Sequence, residues 1–158
     1  MGLFSRTKSE PVVAPVTGQL IQLDKVSDPV FAKKMMGDGF AIIPHDETIV
    51  SPVNGVVSTV FPTKHAVMIK SKHGLEIMLH LGIDTVELNG EPFEMKVREG
   101  NKITAGQMIA TMNLKSIKEA DKDTTVMVII TDINEVKNSI TYTGRSVING
   151  ESIFDLTI

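Results

Sequence analysis

The sequence predicts an all-β protein, built as an antiparallel sandwich or closed barrel with an internal duplication. Glycine (12) and proline (7) recur along the 158 residues, and the segments between them are short and rich in Val, Ile and Thr. That pattern is typical of many short antiparallel strands and not of alternating strands and helices. The expected strands are 49–50, 56–61, 66–69, 75–79 and 124–131.

Two sequence motifs each occur twice, in the same order. The segment APVTGQL at 14–20 recurs as SPVNGVV at 51–57, and I-x-x-G-x-x-I-x-x-M at 103–112 recurs as V-x-x-G-x-x-I-x-x-L at 147–156. In each Pro-x-x-Gly turn, proline fixes φ and we expect glycine to supply a positive φ. The repeats predict two pseudo-symmetric halves, jelly-roll-like, that leave few bare sheet edges.

Helical segments are expected to be few and very short. Ser116 with Glu119, and Asp132 with Glu135, have the spacing of a capping box ahead of a brief polar-apolar stretch. Residues 1–10 lack periodicity and are expected to form a flexible arm. A single domain is expected over 11–158.

The composition excludes several classes of protein. With 16 Lys+Arg against 19 Asp+Glu and no basic run, the chain has no electrostatic footprint for nucleic acid. The absence of cysteine excludes disulfides, thiolate metal sites and a cysteine nucleophile, and fits a reducing cytosol. No apolar run approaches the roughly 18 residues of a membrane span. We therefore expect a cytoplasmic protein.

His65 and His80 are the candidate functional pair. The dipeptide His73-Gly74 between two apolar segments predicts a hairpin with a two-residue loop. In that register His80 lies opposite Val67, on the same face as His65, at a diagonal backbone distance of about 7–8 Å. A three-residue loop would put the two histidines on opposite faces. The paired site is therefore expected to depend on this register, and to be lost if one residue is added to the turn or removed from it.

Two neighbouring imidazoles have three uses. One ring can attack a phosphoryl group while the other donates a hydrogen bond to it, because a pKa near 6.5 leaves a nitrogen lone pair free at cytoplasmic pH. The pair could instead ligate zinc, or form a polar seam in a half-buried sheet. His45 and His73 lie in turn-like segments, so both are expected to be exposed and to have no role.

The duplicated pattern resembles the barrel-sandwich hybrid family, which includes biotin- and lipoate-carrying domains. The segment Glu94-Met95-Lys96-Val97 also looks like a biotin-acceptor hairpin. However, Val97 replaces the second methionine usual in biotin acceptors, and a carrier domain needs only about half this length. A non-catalytic carrier module is an alternative function, but Lys96 is better interpreted as a solvated turn residue.

A closer resemblance covers residues 11–158. The matching motifs are VFA at 30–32, MGDG at 36–39, PVxG at 52–55, TxHA at 63–66 and HLGIDTVELxG at 80–90. By these motifs the chain resembles the glucose-type enzyme IIA proteins of the bacterial phosphoenolpyruvate-dependent sugar phosphotransferase system. The expected domain is accordingly a single EIIA type 1 domain.

The resemblance implies a phosphocarrier function and assigns roles to residues. His80 matches the histidine that is phosphorylated on Nε2, and His65 matches the neighbour that steadies the phosphoryl group. Thr63 matches the threonine that orients this second ring, and Gly82 lies where a carbonyl can hold the Nδ1–H of the phosphorylated ring.

Asp28 and Asp84 match two acidic residues at the rim of the site. A carboxylate would repel phosphate, so we expect these two to keep the phosphorylated state reactive and to help orient cationic partners.

The resemblance also implies the partners. The donor is phosphohistidine on the carrier protein HPr, and the acceptor is the IIB domain of a glucose-type IIBC permease, which drives sugar uptake and phosphorylation. The activity is that of a phosphotransferase component of the EC 2.7.1 type, with a phosphohistidine intermediate. No Walker-type loop or carboxylate cluster is apparent in the sequence, so neither ATP nor a cofactor is expected. Further regulatory targets are implied by resemblance only.

Docking of these partners is expected over an apolar collar around the histidines. The residues assigned to partner binding are Phe31, Met36, Phe61 and Val86, and we expect Phe31, Met36 and Phe61 to be exposed. Further collar candidates are Met35, Phe40, Met68 and Met78.

A zinc-dependent hydrolase is the competing enzyme class. Certain cell-wall peptidases share this general sandwich and carry a His-x-His near a comparable strand end, where this chain has Met78. A third protein ligand therefore has no evident source. His65 and His80 are expected to bind zinc only when a partner donates a carboxylate.

Overall fold

The computed structural model describes residues 7–158, almost wholly as antiparallel strands. In chain order these are β1 (Ser9–Val13), β2 (Gly18–Gln22), β3 (Asp38–Pro44), β4 (Thr48–Val50), β5 (Gly55–Val60), β6 (Ala66–Ser71), β7 (Glu76–Ile83), β8 (Phe93–Met95), β9 (Lys102–Ile103), β10 (Met108–Met112), β11 (Asp123–Ile130), β12 (Arg145–Val147) and β13 (Ser152–Thr157). The helices are α1 (Pro29–Ala32) and α2 (Leu114–Glu119), with 3-10 turns at Leu23–Lys25, Thr85–Leu88 and Ile133–Glu135. The predicted all-β class is confirmed.

The strand order carries the internal duplication. The large sheet runs β12-β2-β3-β11-β7-β6-β5-β9, beside a three-stranded sheet β4-β10-β8 and the pair β1-β13. The two copies of each motif meet in equivalent places, because Gly18 pairs with Val147 and Gly55 pairs with Ile103. The four strands β12-β2-β3-β11 and the four strands β9-β5-β6-β7 are therefore equivalent halves of the large sheet, which meet at the central β11–β7 pair.

The glycine of each Pro-x-x-Gly turn is required for space and not for a positive φ. Gly18 and Gly55 are absent from the positive-φ residues of the described chain. A Cβ on Gly18 would lie 2.1 Å from the carbonyl oxygen of Ile43, and one on Gly55 would lie 2.2 Å from that of Lys70. The predicted positive φ was wrong at both positions, since close approach of the neighbouring strand is what excludes a side chain there.

The central strands are buried on both faces. The inner face contributes to the main core, which includes Phe40, Leu79 and Val128. On the outer face a second cluster forms where the segment 23–32 crosses the sheet and buries Leu23, Val26 and Phe31. Burial of side chains of this size contributes roughly 1.5–3 kcal/mol each. Residues 23–32, called the cover segment below, are therefore held firmly against the sheet.

The short helices differ in part from the prediction. Helix α1 was not expected, although Asp28-Pro29 is a start signal: the Asp28 carboxylate caps the helix by accepting from the Val30 N–H at 2.8 Å, and proline occupies the first turn. Helix α2 begins before Ser116, with Asn113 as its cap. Asp132 precedes a 3-10 turn, but its carboxylate accepts from the Glu76 N–H and caps nothing.

The β6–β7 hairpin has a three-residue loop, so the predicted register was wrong. Ala66 pairs with His80 and Lys70 with Glu76, which leaves Lys72-His73-Gly74 as the loop. Gly74 takes the left-handed conformation (φ +95°) that ends the common three-residue turn.

The N-terminal boundary also needs correction. Strand β1 begins at Ser9 and pairs with β13, and Glu10 is only 2% exposed. Ser9 and Glu10 therefore belong to the folded domain, whereas residues 1–6 of the predicted arm lie outside the described residues. No helix within residues 7–158 is long and apolar enough to cross a membrane.

Candidate functional site

His80 projects from β7 onto the outer face of the large sheet, beneath the cover segment. Its ring packs against Phe31 of α1, with ring centroids 4.9 Å apart. Met127, its partner on β11, and Met78, two residues earlier on β7, belong to the same apolar cluster. His80 thus stands on a rigid central strand in largely apolar surroundings.

His65 reaches His80 from a bend and not from a strand. It lies just before β6, after Lys64, whose φ of +59° turns the chain. The Leu81 N–H donates to the carbonyl of His65 at 2.7 Å, which ties the bend to β7. The two imidazole centroids are 5.1 Å apart. The pair therefore forms although the register differs from the predicted one, because strand alternation does not apply to a residue in a bend.

Each imidazole is oriented through its Nδ1 atom. Nδ1 of His80 lies 2.7 Å from the carbonyl oxygen of Gly82, and Nδ1 of His65 lies 2.6 Å from Oγ1 of Thr63. A carbonyl oxygen only accepts, so Nδ1 of His80 carries the proton and the lone pair of the neutral ring is at Nε2. A threonine hydroxyl can donate, and His65 then carries its proton on Nε2.

Both histidines are held in the neutral form. Burial lowers the pKa of His80 from 6.5 to about 4; the hydrogen bond to Gly82 and the charges of Asp28 and Asp84 oppose this effect without reversing it. Burial also lowers the pKa of His65. At neutral pH the site presents an uncharged nitrogen nucleophile beside an uncharged hydrogen-bond donor.

The chain turns sharply at Gly82, near the end of β7, and this turn (the Gly82 corner) fixes the position of the carbonyl oxygen that accepts from His80. Gly82 has φ +78°, and a Cβ there would lie 2.5 Å from Cγ2 of Thr85 and 2.9 Å from the carbonyl oxygen of Asp123. Thr85 is fully buried and donates its hydroxyl to the Leu81 carbonyl at 2.5 Å. Only glycine fits this corner. The sequence reasoning assigned Thr85 no role, although this residue lies within the matching motif at 80–90.

Asp28 and Asp84 act on the site through charge. Asp28 caps α1 at the start of the helix that carries Phe31. Asp84 has φ +60° and makes no capping hydrogen bond with its side chain. Both carboxylates favour the protonated form of His80, which agrees with a position near its ring.

Four rings contact one another in a row through the site, in the order Phe31, His80, His65, Phe61, with tilted or edge-on contacts. Phe61 meets His65 edge-on, with centroids 5.4 Å apart. The prediction that Phe31 is exposed was wrong, since it is 9% exposed and covers His80. Phe61, also predicted to be exposed, is half-buried because it packs on His65. Both aromatic residues therefore pack on the imidazoles.

Exposed apolar side chains occur in and just after α1 and just after β7, the elements that carry Phe31 and His80. Met36 is exposed as predicted (40%), and Val86 (47%) and Met35 (71%) are more exposed still. Of the other collar candidates, Phe40 and Met78 are buried and Met68 is half-buried. Val30, 41% exposed beside Phe31, was missed.

The remaining candidates lie apart from this pair. His45 is exposed as predicted, but the prediction was wrong for His73, which is half-buried and whose backbone N–H donates to the buried Glu10 carboxylate at 2.6 Å. Lys96 donates to Glu94 at 2.6 Å on the surface. Residues 7–158 hold no cluster of three or more His, Cys, Asp or Glu side chains arranged as metal ligands. His65 and His80 alone would leave two positions of a tetrahedral zinc ion to other donors.

Comparison with known proteins gives one consistent result. Residues 10–136 match the family described as phosphoenolpyruvate-dependent sugar phosphotransferase system, EIIA 1. The PTS system glucose-specific EIIA component of Bacillus cereus is 42% identical over 151 residues, which cover 96% of this chain and 92% of that protein.

Two further relatives agree with that match. The PTS system glucose-specific EIICBA component of Streptococcus pneumoniae is 47% identical over 130 residues, or 82% of this chain, but the match spans only 18% of that longer protein. The solved structure of glucose permease IIA from Mycoplasma capricolum superposes with a TM-score of 0.84 at 36% identity, covering 98% of this chain and 99% of that one.

Proposed function

This chain belongs to the EIIA 1 family of the phosphoenolpyruvate-dependent sugar phosphotransferase system, and we propose that it carries the phosphoryl group on Nε2 of His80. The observation that carries the proposal is the 2.7 Å contact between Nδ1 of His80 and the Gly82 carbonyl. This contact leaves the lone pair on Nε2, in a ring that is neutral at physiological pH.

The transfer exchanges one P–N bond for another. The Nε2 lone pair of His80 attacks the phosphorus of phosphohistidine on HPr, while the donor P–N bond breaks and its electron pair returns to the donor imidazole. In the second step a nucleophile on the IIB domain attacks the same phosphorus, and the pair of the His80 P–N bond returns to Nε2. Nδ1–H remains bonded to Gly82 throughout, so the ring keeps one orientation for both steps.

His65 supplies the neighbouring donor. With Thr63 donating to its Nδ1, the Nε2–H of His65 is free to donate to a phosphoryl oxygen next to His80. Such a donor stabilises charge on the equatorial oxygens during transfer without itself forming a covalent bond.

Asp28 and Asp84 favour the positive charge that the ring acquires on phosphorylation and destabilise the phosphoryl group by repulsion. Because the carboxylates attract the charged ring but repel the phosphoryl group, phosphohistidine forms and yet stays reactive. The same charges orient cationic partners. Transfer to IIB that is unchanged in Asp84→Asn would contradict this role.

The proposed partners follow from the family role. HPr is the donor and the IIB domain of a glucose-type permease is the acceptor, both docking over the exposed Met35, Met36 and Val86. Flexible methionine side chains suit a surface that must fit two partners in turn. The donor arrives already activated as phosphohistidine, so the transfer needs no nucleotide and no cofactor of its own.

The test is phosphorylation by phosphoenolpyruvate, enzyme I and HPr. The wild-type chain should acquire acid-labile, base-stable phosphate on His80, and His80→Gln should acquire none. His65→Gln should accept phosphate but transfer it poorly to IIB. His45→Gln is the matched control, because His45 is exposed and is not one of the four contacting rings. Full labelling of His80→Gln would overturn the assignment.

A further inference from the structure

A bulge in β11 lies beside the Gly82 corner. Val126 pairs with Leu81, but Asp123 pairs with Ile83, so three residue steps of β11 oppose two steps of β7. The extra residue brings the carbonyl oxygen of Asp123 to 2.9 Å from where a Cβ on Gly82 would stand. The bulge therefore packs directly against the residue whose carbonyl orients His80.

The Asp123 carboxylate joins this bulge to the cover segment. Oδ1 accepts from the backbone N–H of Thr125 at 2.8 Å and from its hydroxyl at 2.6 Å, which closes the bulge. Oδ2 accepts from the Ser27 hydroxyl at 3.1 Å. Ser27 immediately precedes Asp28, the cap of α1. One side chain thus contacts both the strand behind Gly82 and the segment that carries Asp28 and Phe31.

We propose that Asp123 is a positioning residue of the phosphoryl-carrying site. Its bonds to Thr125 hold the bulge whose Asp123 carbonyl lies against Gly82, and its bond to Ser27 holds the segment that carries Asp28. The inference rests on the proposed function of His80. Asp123 itself touches no reacting atom. It fixes the relative position of the two layers between which His80 lies, and a small displacement of either layer misaligns the in-line transfer.

The test compares substitutions that break the bridge with one that keeps it. Asp123→Ala removes both acceptors and should lower kcat for transfer to IIB about tenfold, with KM changed less than about twofold. Asp123→Asn keeps an oxygen for Thr125 and an amide that can bond Ser27, so it should recover most of the rate. Asp121→Asn removes an equal charge two residues away and is the matched control.

A spectroscopic readout separates positioning from loss of fold. In wild-type protein, nitrogen NMR of His80 should show the proton on Nδ1 alone, whereas Asp123→Ala should show a mixture of both tautomers. Ser27→Ala breaks only the exposed contact to the cover segment, so it retains the fold and should slow transfer about threefold with the tautomer unchanged.

Three outcomes would overturn the proposal. The first is an Asp123→Ala protein that transfers as fast as Asp121→Asn with the wild-type tautomer. The second is an Asp123→Asn protein no better than Asp123→Ala, which would indicate charge and not bridging. The third is a Ser27→Ala protein that transfers at the wild-type rate. Absence of phosphate on the wild-type chain would instead refute the proposed function, while the tautomer measurement would still report on Asp123.

Discussion

The depressed pKa of His80 predicts a specific loss of stability in mild acid. An unfolded chain protonates this histidine near pH 6.5, whereas the native protein does so only near pH 4. Between these values the unfolded state binds more protons, so the free energy of unfolding falls as the pH is lowered. At about 1.4 kcal/mol per pKa unit, the full effect of His80 is about 3 kcal/mol. Of this, about 2 kcal/mol is lost between pH 7 and pH 5.

Urea unfolding at pH 7, 6 and 5 measures this effect, with His80→Gln as the reference because glutamine does not titrate. The stability difference between wild type and His80→Gln should shift by about 2 kcal/mol against the wild type as the pH falls from 7 to 5. His45→Gln, changed at an exposed histidine outside the site, should follow the wild-type pH dependence. Parallel curves for wild type and His80→Gln would refute the argument that burial holds His80 neutral.

Three other changes test individual contacts of the site. Thr63→Val removes the hydrogen bond to His65 and should leave phosphorylation by HPr nearly intact while slowing transfer to IIB about tenfold in a stopped-flow assay; equal rates would exclude an orienting role. Phe31→Ala should cost about 3 kcal/mol of stability in urea and move the pKa of His80 back toward 6.5 by NMR, because water reaches the ring; an unmoved pKa would show that Phe31 does not shield it. Gly82→Ala should cost more than about 2 kcal/mol in thermal unfolding, against about 1 kcal/mol for Gly74→Ala. The two glycines share a positive φ, but only Gly82 meets neighbouring atoms, and equal costs would refute the steric argument.

The architecture was predictable because its signals are local. Short Val- and Ile-rich segments between glycine and proline define strands, and the two repeated motifs indicate a duplicated sheet, which the pairing of Gly18 with Val147 and of Gly55 with Ile103 confirms. Helix α1 was equally open to prediction, since Asp28-Pro29 is a start signal within two residues. It was missed because the helix itself is only four residues long.

The hairpin register was not predictable from the same information. A glycine at position 74 suits a two-residue loop as well as a three-residue loop, and the local sequence contains nothing that decides between them. The three-residue loop forms in the folded protein, yet the histidines still meet because His65 lies in a bend outside the strand ladder. The expectation that the histidine pair depends on the register of a two-residue loop was therefore wrong.

The amino-acid order alone determined the strand-rich class and the duplication, because both appear as short motifs that can be recognised without the fold. It also determined the identity of the two imidazoles, through the motifs at 63–66 and 80–90 that resemble the EIIA family. The folded arrangement decided that Phe31 covers His80, that Gly82 holds its Nδ1 and that burial keeps the ring neutral. These properties arise between segments distant in sequence, where desolvation and hydrogen-bond geometry depend on how the layers pack and not on local composition.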